Sequence, residues 1–207
     1  MRPTKTAISD ALKAEAPASD GRRARSQTSR SKIVEALMEL IVSGHSNPST
    51  ANIAKQAGVG LRSVFRHFED KDAIYREVDA ILVRAYQPVI EAPFQSEDWQ
   101  SRLMEMVERR CQISEELAPY RISSAAARER SAFLKENYQK LHNREKSRLN
   151  AVLPNHMQTG TPIGRAILVA MSFDTWRLLR LDEHLSADET VIAVKRLVSD
   201  IIDRAAL

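Results

Sequence analysis

The chain has 207 residues, of which 43% are hydrophobic and 28% are charged, and this composition is ordinary for a globular protein with a sizeable core. It has only six glycines and abundant Leu, Ala, Glu, Arg and Met, which disfavours a turn-rich β protein and predicts an all-α fold. No apolar run approaches the roughly 20 residues that span a bilayer, and the first residues lack the core of a secretion signal, so we expect a cytoplasmic protein.

Positive charge is concentrated at the N-terminus. Residues 1–32 carry a net charge of +5, so the rest of the chain carries about −1. Residues 1–28 show little apolar periodicity, and we predict a disordered basic arm there. Two roles stay open: a solubilising tail, or an arm that neutralises DNA phosphates or enters a minor groove. The candidate DNA contacts in the arm are Arg22, Arg23 and Arg25.

The first helix is predicted from Ser29 or Ser31 to Val42, and Gly44 ends it. Residues 49–71 then predict two short helices joined by a tight turn. Ser49 is a suitable N-cap for the first of them, and Gly58 supplies the positive φ of the turn. This pattern is typical of a helix-turn-helix, although many all-α proteins with this spacing never touch DNA.

The second short helix, about residues 61–68, has two different faces. Its periodicity turns Val64 and Phe68 inward. The outward positions carry cations and small polar groups, which is what docking in a major groove requires. Arg62 and Arg66 suit the O6 and N7 atoms of guanine or the phosphates, and hydroxyl groups suit phosphate oxygens.

The segment from Gly44 to Lys71 resembles the DNA-binding head of the TetR (tetracycline repressor) family. The resemblance is carried by Gly44-His45, Ser49, Ile53-Ala54, Ala57-Gly58-Val59, Phe65-Arg66-His67-Phe68 and Lys71 in the family's register. It implies a helix-turn-helix head at 29–72 and a helical effector-binding and dimerisation domain at 73–207. The positions that it implies for DNA contact are Ser49, Thr50, Gly60, Leu61, Arg62, Ser63, Phe65, Arg66, His67 and Lys71.

Two positions depart from the family pattern. The family usually has Tyr at position 65, and Phe65 lacks the hydroxyl that bonds a phosphate. Gly60 stands where Ser or Thr often caps the recognition helix, so we expect a weaker cap. For His67, helix packing is the alternative to DNA contact.

Beyond the head, the apolar spacing predicts helices at about 72–86, 97–117, 119–130, 132–153 and 162–181, and a last helix opened by a capping box at Ser186. Pro88 and Pro93 are expected to close the first of these, and Pro119 to open the third. The resemblance implies that the element after the head links it to the body.

The last two helices are predicted to form a homodimer interface, because the resemblance implies a shared four-helix bundle and heads of this kind read paired half-sites. Burial within one chain is the alternative. The candidate interface residues are Ile167, Ala170, Met171, Val191, Val194, Val198 and Ile201.

The resemblance also implies a small-molecule cavity in the body, although a stripe of Met and aromatic residues at helical spacing also fits an ordinary core. The candidate ligand-binding residues are Met104, Val107, Cys111, Tyr120, Tyr138, Phe173 and Trp176.

Enzyme chemistry is not predicted. Cys111 is the one cysteine of the sequence, so an internal disulfide and a cysteine-based zinc site are excluded. The five histidines lack the spacing of metal ligands, and no glycine-rich phosphate loop or nucleophile elbow occurs, so we expect no metal and no cofactor.

The sequence therefore predicts a DNA-binding transcriptional regulator, a homodimeric repressor that an apolar or amphipathic small molecule releases from a palindromic operator. Two alternatives remain open: a DNA-binding regulator or nucleoid-associated protein without an effector, and a helical protein–protein adaptor that has lost DNA binding.

Overall fold

The computed structural model describes the backbone of residues 21–205 and the side chains of residues 26–204. No strand occurs in that range, which confirms the predicted all-α fold. No helix in it is both long enough and apolar enough to cross a membrane. The helices are α1 (Gly21–Val42), α2 (Thr50–Gln56), α3 (Leu61–His67), α4 (Lys71–Glu91), α5 (Trp99–Ala127), α6 (Ala132–Asn150), α7 (Pro162–Ala170), α8 (Phe173–Arg177) and α9 (Ala187–Ala205), with 3₁₀ turns at Arg128–Arg130 and Asn155–Met157 and a π-helical turn at Leu178–Asp182.

The chain divides into two compact units. The first unit holds the described residues up to Glu91 together with Pro119–Asn137, and the second holds Ala92–Ala118 together with the residues from Tyr138 onward. The first unit therefore contains the predicted head and all of α4.

In the first unit, α1 packs against α2, α3 and α4. Its apolar stripe includes Ile33 and Leu37, which are fully buried. Gly44 ends α1 with φ +95°, and the amides of Gly44 and His45 bond the carbonyls of Ile41 and Leu40. This pair of bonds is a Schellman motif, which satisfies carbonyls that a helix end would otherwise leave open.

The first helix begins at Gly21. It is therefore longer than the predicted helix, which begins at Ser29 or Ser31. The expectation of disorder for residues 21–28 is therefore wrong, while residues 1–20 lie outside the described residues. No proline and no glycine occurs between positions 22 and 42. With no residue to break it, the helix continues back beyond its apolar stripe, so the stripe does not mark the start of the helix.

Pro88, Pro93 and Pro119 were predicted to bound helices, but Pro88 and Pro119 lie inside helices. Helix α4 runs through Pro88 to Glu91, and α5 runs through Pro119 to Ala127. A proline inside a helix removes one backbone hydrogen bond and costs about 3 kcal/mol. Here the neighbours Tyr86, Ala118 and Tyr120 are buried, and their burial favours continuation of each helix.

The predicted helix over 162–181 is interrupted instead. α7 ends at Ala170, and Ser172 then caps α8 by accepting a hydrogen bond from the amide of Thr175. The Thr175 hydroxyl donates to the carbonyl of Val169 at 2.6 Å. The Ser-x-x-Thr pattern at 172–175 is an N-cap signal. The apolar periodicity on both sides of it predicted one continuous helix instead.

The second unit buries its own hydrophobic core, in which α7 packs against α9. The predicted capping box opens α9: the Ser186 amide donates to the Glu189 carboxylate at 2.8 Å, and the Glu189 amide donates to the Ser186 hydroxyl at 3.2 Å. Fully buried residues of this core include Leu103, Leu149 and Ile167.

Gly164 is needed for the close approach of α7 to the preceding turn. A Cβ at this position would lie 2.1 Å from the carbonyl oxygen of Gln158, which is a backbone atom. We expect Gly164→Ala to lower the free energy of unfolding by about 3 kcal/mol, because the backbone has to move to admit the methyl group. Chemical denaturation followed by circular dichroism measures this change.

The matched control is Gly160→Ala, because a Cβ at Gly160 meets nothing within 4 Å. This variant is expected to change the free energy of unfolding by no more than about 0.5 kcal/mol. Equal stabilities of the two variants would contradict the steric explanation.

Candidate nucleic-acid interface

Helices α2 and α3 form the predicted helix-turn-helix. Ser49 caps α2: its hydroxyl accepts from the Asn52 amide at 3.1 Å, and the Asn52 side chain accepts from the Ser49 amide at 3.2 Å. Gly58 has φ +65°, and the amides of Gly58 and Val59 bond the carbonyls of Lys55 and Ala54. The turn therefore has the same Schellman motif as the end of α1. This motif fixes the direction of the chain from α2 into α3.

The two faces of α3 are as predicted. Val64 is buried in the helix, and Phe68 is buried at its C-cap. Leu61, Arg62, Phe65 and Arg66 are exposed, while the predicted contacts Ser63 and His67 are half-buried. We call the four exposed side chains the free face of α3. It is apolar and cationic, and the sequence of α3 contains no acidic residue.

The cap of α3 is weak, as the sequence indicated. Gly60 occupies the N-cap with φ −69° and offers no side-chain hydrogen bond. A Cβ there would meet nothing within 4 Å, so no steric reason within the chain requires glycine. Helix α3 therefore depends on packing for its stability more than on its cap.

Arg30 on α1 holds the C-terminal end of α3. One guanidinium nitrogen donates to the carbonyl of His67 at 2.5 Å, and another donates to the Glu77 carboxylate on α4 at 2.6 Å. The guanidinium also lies over the Phe68 ring, 4.1 Å from its centroid. A planar group with several donors bonds two partners and stacks on a third at the same time. We call these contacts the Arg30 clamp.

His67 packs inside the head. Its Nε2 atom is buried and has no hydrogen-bond partner among the described residues. Burial lowers the pKa of His67, and the nearby Arg66 and Arg30 lower this pKa further. A neutral imidazole with a buried Nε2 fits the packing role better than donation to a phosphate.

The other predicted contacts lie around the free face. Thr50 is half-buried at the start of α2. Lys71 starts α4, where its ammonium group bonds the Asn47 side chain and lies 5.3 Å from the centroid of the Tyr75 ring. Burial lowers the pKa of Lys71. Lys71 thus helps to hold the loop before α2 in place. The side chains of Arg22, Arg23 and Arg25 lie outside the described residues.

The predicted ligand-binding residues do not form one pocket. Val107, Cys111 and Trp176 line a closed cavity of about 10 Å³ in the second unit, which is too small for an effector. Phe173 stacks on Trp176, with 5.3 Å between ring centroids. The remaining candidates lie elsewhere: Met104 lines an open groove between α5 and α9, Tyr138 stacks on His142, and Tyr120 belongs to the first unit.

The open groove is acidic. Its volume is about 300 Å³, and its lining includes Glu105, Glu108 and Asp203. Two of these carboxylates already have partners in the chain: Glu105 accepts from the backbone amides of Gln95 and Ser96, and Glu108 pairs with Lys195. Two of the three carboxylates of the groove are therefore already engaged within the chain.

Cys111 behaves as a small core residue. It is buried, and the loss of solvent raises the pKa of its thiol to about 11. The thiol is protonated at neutral pH, which argues against a nucleophile at this position.

Most of the predicted dimer interface is covered within one chain. Ile167, Ala170, Met171, Val194 and Val198 belong to the core of the second unit, and Val191 and Ile201 pack against that core. The apolar periodicity marks the core side of α7 and α9. The large apolar side chains exposed on these helices are Val169 (64% exposed), Ile192 (66%) and Leu197 (44%).

Helices α2 and α3, with the free face of α3, have the arrangement of a helix-turn-helix. Residues 33–78 match the family described as bacterial regulatory proteins, tetR family. The match covers the helix-turn-helix and parts of the helices on either side of it, and it supports a DNA-binding transcriptional regulator.

A solved structure has a similar fold. It is a transcriptional regulator from Rhodococcus sp. Rha1, with 19% sequence identity and a TM-score of 0.62. The similarity covers 84% of this chain and 96% of that chain. No protein of curated function matches the sequence.

Arg30 and Glu77 contribute to the site but were not predicted from the sequence. Arg30 lies three residues before the buried Ile33, within the N-terminal segment that the charge pattern marks only as basic. An arginine one turn before an apolar stripe is a weak signal for a clamp. Its partner Glu77 is 47 positions away, a distance that helical spacing cannot bridge.

The Arg30 clamp is expected to control DNA affinity through the orientation of α3. Arg30→Ala removes its three contacts, so we expect a loss of about 1–2 kcal/mol in the free energy of unfolding. DNA affinity should fall roughly tenfold under conditions where the variant is fully folded. Denaturation and fluorescence anisotropy on duplex DNA measure the two effects.

The dependence of affinity on salt distinguishes positioning from a phosphate contact. A positioning residue leaves the slope of log K against log salt unchanged, whereas loss of a phosphate contact reduces it by about 1. The matched control is Arg76→Ala on α4, whose pairing with Asp70 is long, at 3.9 Å, and exposed. Unchanged DNA affinity in Arg30→Ala would contradict the role of the clamp.

Proposed function

We propose that this regulator is a homodimeric repressor, which binds a palindromic operator in the cytoplasm and is released by an apolar or amphipathic effector. The observation that carries DNA recognition is the free face of α3. Arg62 and Arg66 extend from it, and the buried Val64 and Phe68 fix its direction.

The free face fits DNA better than it fits a protein partner. Its two arginines have the donor geometry for guanine or for phosphate, and the helix carries no carboxylate that would repel the duplex. This composition favours the regulator over an adaptor that has lost DNA binding.

The exposed apolar side chains of α7 and α9 support the dimer. Val169, Ile192 and Leu197 are large apolar groups left in water on the two helices that the family resemblance implies for pairing. A dimer also places two heads for paired half-sites about 34 Å apart, one turn of the double helix.

Release by an effector rests on the family resemblance and on one feature of the second unit. The closed cavity beside Trp176 is lined by Val107, Cys111 and Met171, which are apolar, and by Arg110 and Ser114, which are polar. Such a mixture suits an amphipathic ligand. Because the cavity is too small for an effector, binding must enlarge it. Release follows if the enlarged conformation binds DNA more weakly.

Direct binding to selected DNA tests the proposed function. We expect the purified chain to enrich a palindrome from a random duplex pool, with an affinity that falls steeply as salt rises. Arg66→Ala should weaken binding to the selected site by about 1–3 kcal/mol if Arg66 reads a base. Fluorescence anisotropy over a salt series measures both effects.

The matched control is Arg196→Ala, which removes the same charge from a side chain on α9 that is 78% exposed. It is expected to leave DNA affinity unchanged. If no duplex is bound even at low salt, the regulator interpretation is wrong and the adaptor takes its place. A uniform loss on all sequences would make Arg66 a phosphate contact.

The dimer has to be tested at an exposed position. Val198 is fully buried, so Val198→Glu would unfold the second unit instead of reporting on an interface. We expect Val169→Asp to give monomers by light scattering while keeping its helical circular dichroism. The control Ser147→Asp adds the same charge at an exposed position on α6 and should stay dimeric. A dimeric Val169→Asp variant would contradict the interface.

A further inference from the structure

We propose that Leu61 and Phe65 read thymine methyl groups, so that the operator half-site contains thymine beside guanine. This inference rests on the proposed DNA recognition by α3 and specifies which bases the helix selects. It starts from two large apolar side chains of the free face that the fold leaves in water.

The exposure of these side chains is large. Leu61 is 46% exposed and Phe65 is 55% exposed. The other two apolar residues of α3 and its C-cap, Val64 and Phe68, are buried. Residues four positions apart on a helix are neighbours on its surface, so Leu61 and Phe65 form one apolar stripe. Water contact of this stripe is unfavourable, and a partner that covers it gains about 25 cal/mol per Å².

The charged residues next to the stripe indicate the chemistry of its partner. Arg62 follows Leu61 and Arg66 follows Phe65, and both arginines are exposed. A partner must therefore present apolar groups beside acceptors or negative charge. The major groove does this, because the thymine C5-methyl group lies among the base-edge acceptors and between two lines of phosphates.

The composition of α3 also indicates which bases its side chains contact. The helix contains no Asn or Gln, the side chains that pair with adenine N6 and N7. Its two arginines suit guanine O6 and N7, and its apolar pair suits the methyl group that only thymine carries. Phe65 has no hydroxyl to bond a phosphate, which also favours an apolar contact at this position.

Replacement of thymine by deoxyuridine tests this inference, because it removes the methyl group and preserves base pairing. The probe is the duplex that the chain enriches from a random pool, resynthesised with deoxyuridine at one thymine at a time. We expect about a fourfold loss of affinity at one or two thymines in each half-site, the value of one buried methyl group, roughly 0.8 kcal/mol. Fluorescence anisotropy measures each affinity.

Leu61→Ala and Phe65→Ala assign each thymine to its side chain. A variant that has lost the contact is expected to bind the thymine and deoxyuridine duplexes equally at that position. Phe65→Tyr keeps the ring and is the matched control, which should retain the sensitivity. If both Ala variants keep full sensitivity to deoxyuridine, the assignment to these residues is overturned.

The outcomes also separate this inference from the proposed function. Sequence-specific binding that ignores deoxyuridine at every thymine overturns methyl reading and leaves the DNA-binding regulator intact. The same holds if the selected half-sites contain no thymine. A chain that binds no duplex overturns both proposals.

Discussion

The head depends on the burial of Val64 and Phe68, two side chains of a recognition helix that cannot form alone. A helix of seven residues with a glycine cap is unstable as an isolated peptide, because too few hydrogen bonds repay the cost of nucleation. Packing of these two residues supplies the missing free energy. The Arg30 clamp adds polar contacts at the C-terminal end of the helix, where the guanidinium also lies over the buried Phe68 ring. The geometry of DNA recognition is therefore determined by the tertiary structure.

This dependence explains how one short helix serves two purposes. The inward positions 64 and 68 are used for folding, which leaves the exposed positions 61, 62, 65 and 66 available for contact with a partner. The free face holds arginines and apolar groups side by side, and neither stabilises the head by burial. Two glycines with positive φ, Gly44 and Gly58, fix where the preceding helices end, and the direction of α3 follows from them.

Local patterns predicted most of the head and less of the rest. The Ser49 cap, the Gly58 turn and the two faces of α3 are set within a few residues, and the sequence showed them. The Arg30–Glu77 pair is long-range, so no local pattern contains it. Continuation of α4 and α5 through proline depends on buried neighbours. The periodicity of α9 identified an apolar side of the helix. It did not show whether Val198 faces the core of its own chain or a partner subunit, because both of these surfaces are apolar.

The burial of Cys111 has a consequence for control of the regulator by oxidants. With a pKa of about 11, only on the order of one thiol in 10⁴ is ionised at neutral pH, and the thiolate is the form that peroxides attack. Cys111 is also the one cysteine of this sequence, so no second thiol is present to resolve a sulfenic acid into an intramolecular disulfide. Burial in the core of the second unit therefore disfavours oxidation of the Cys111 thiol.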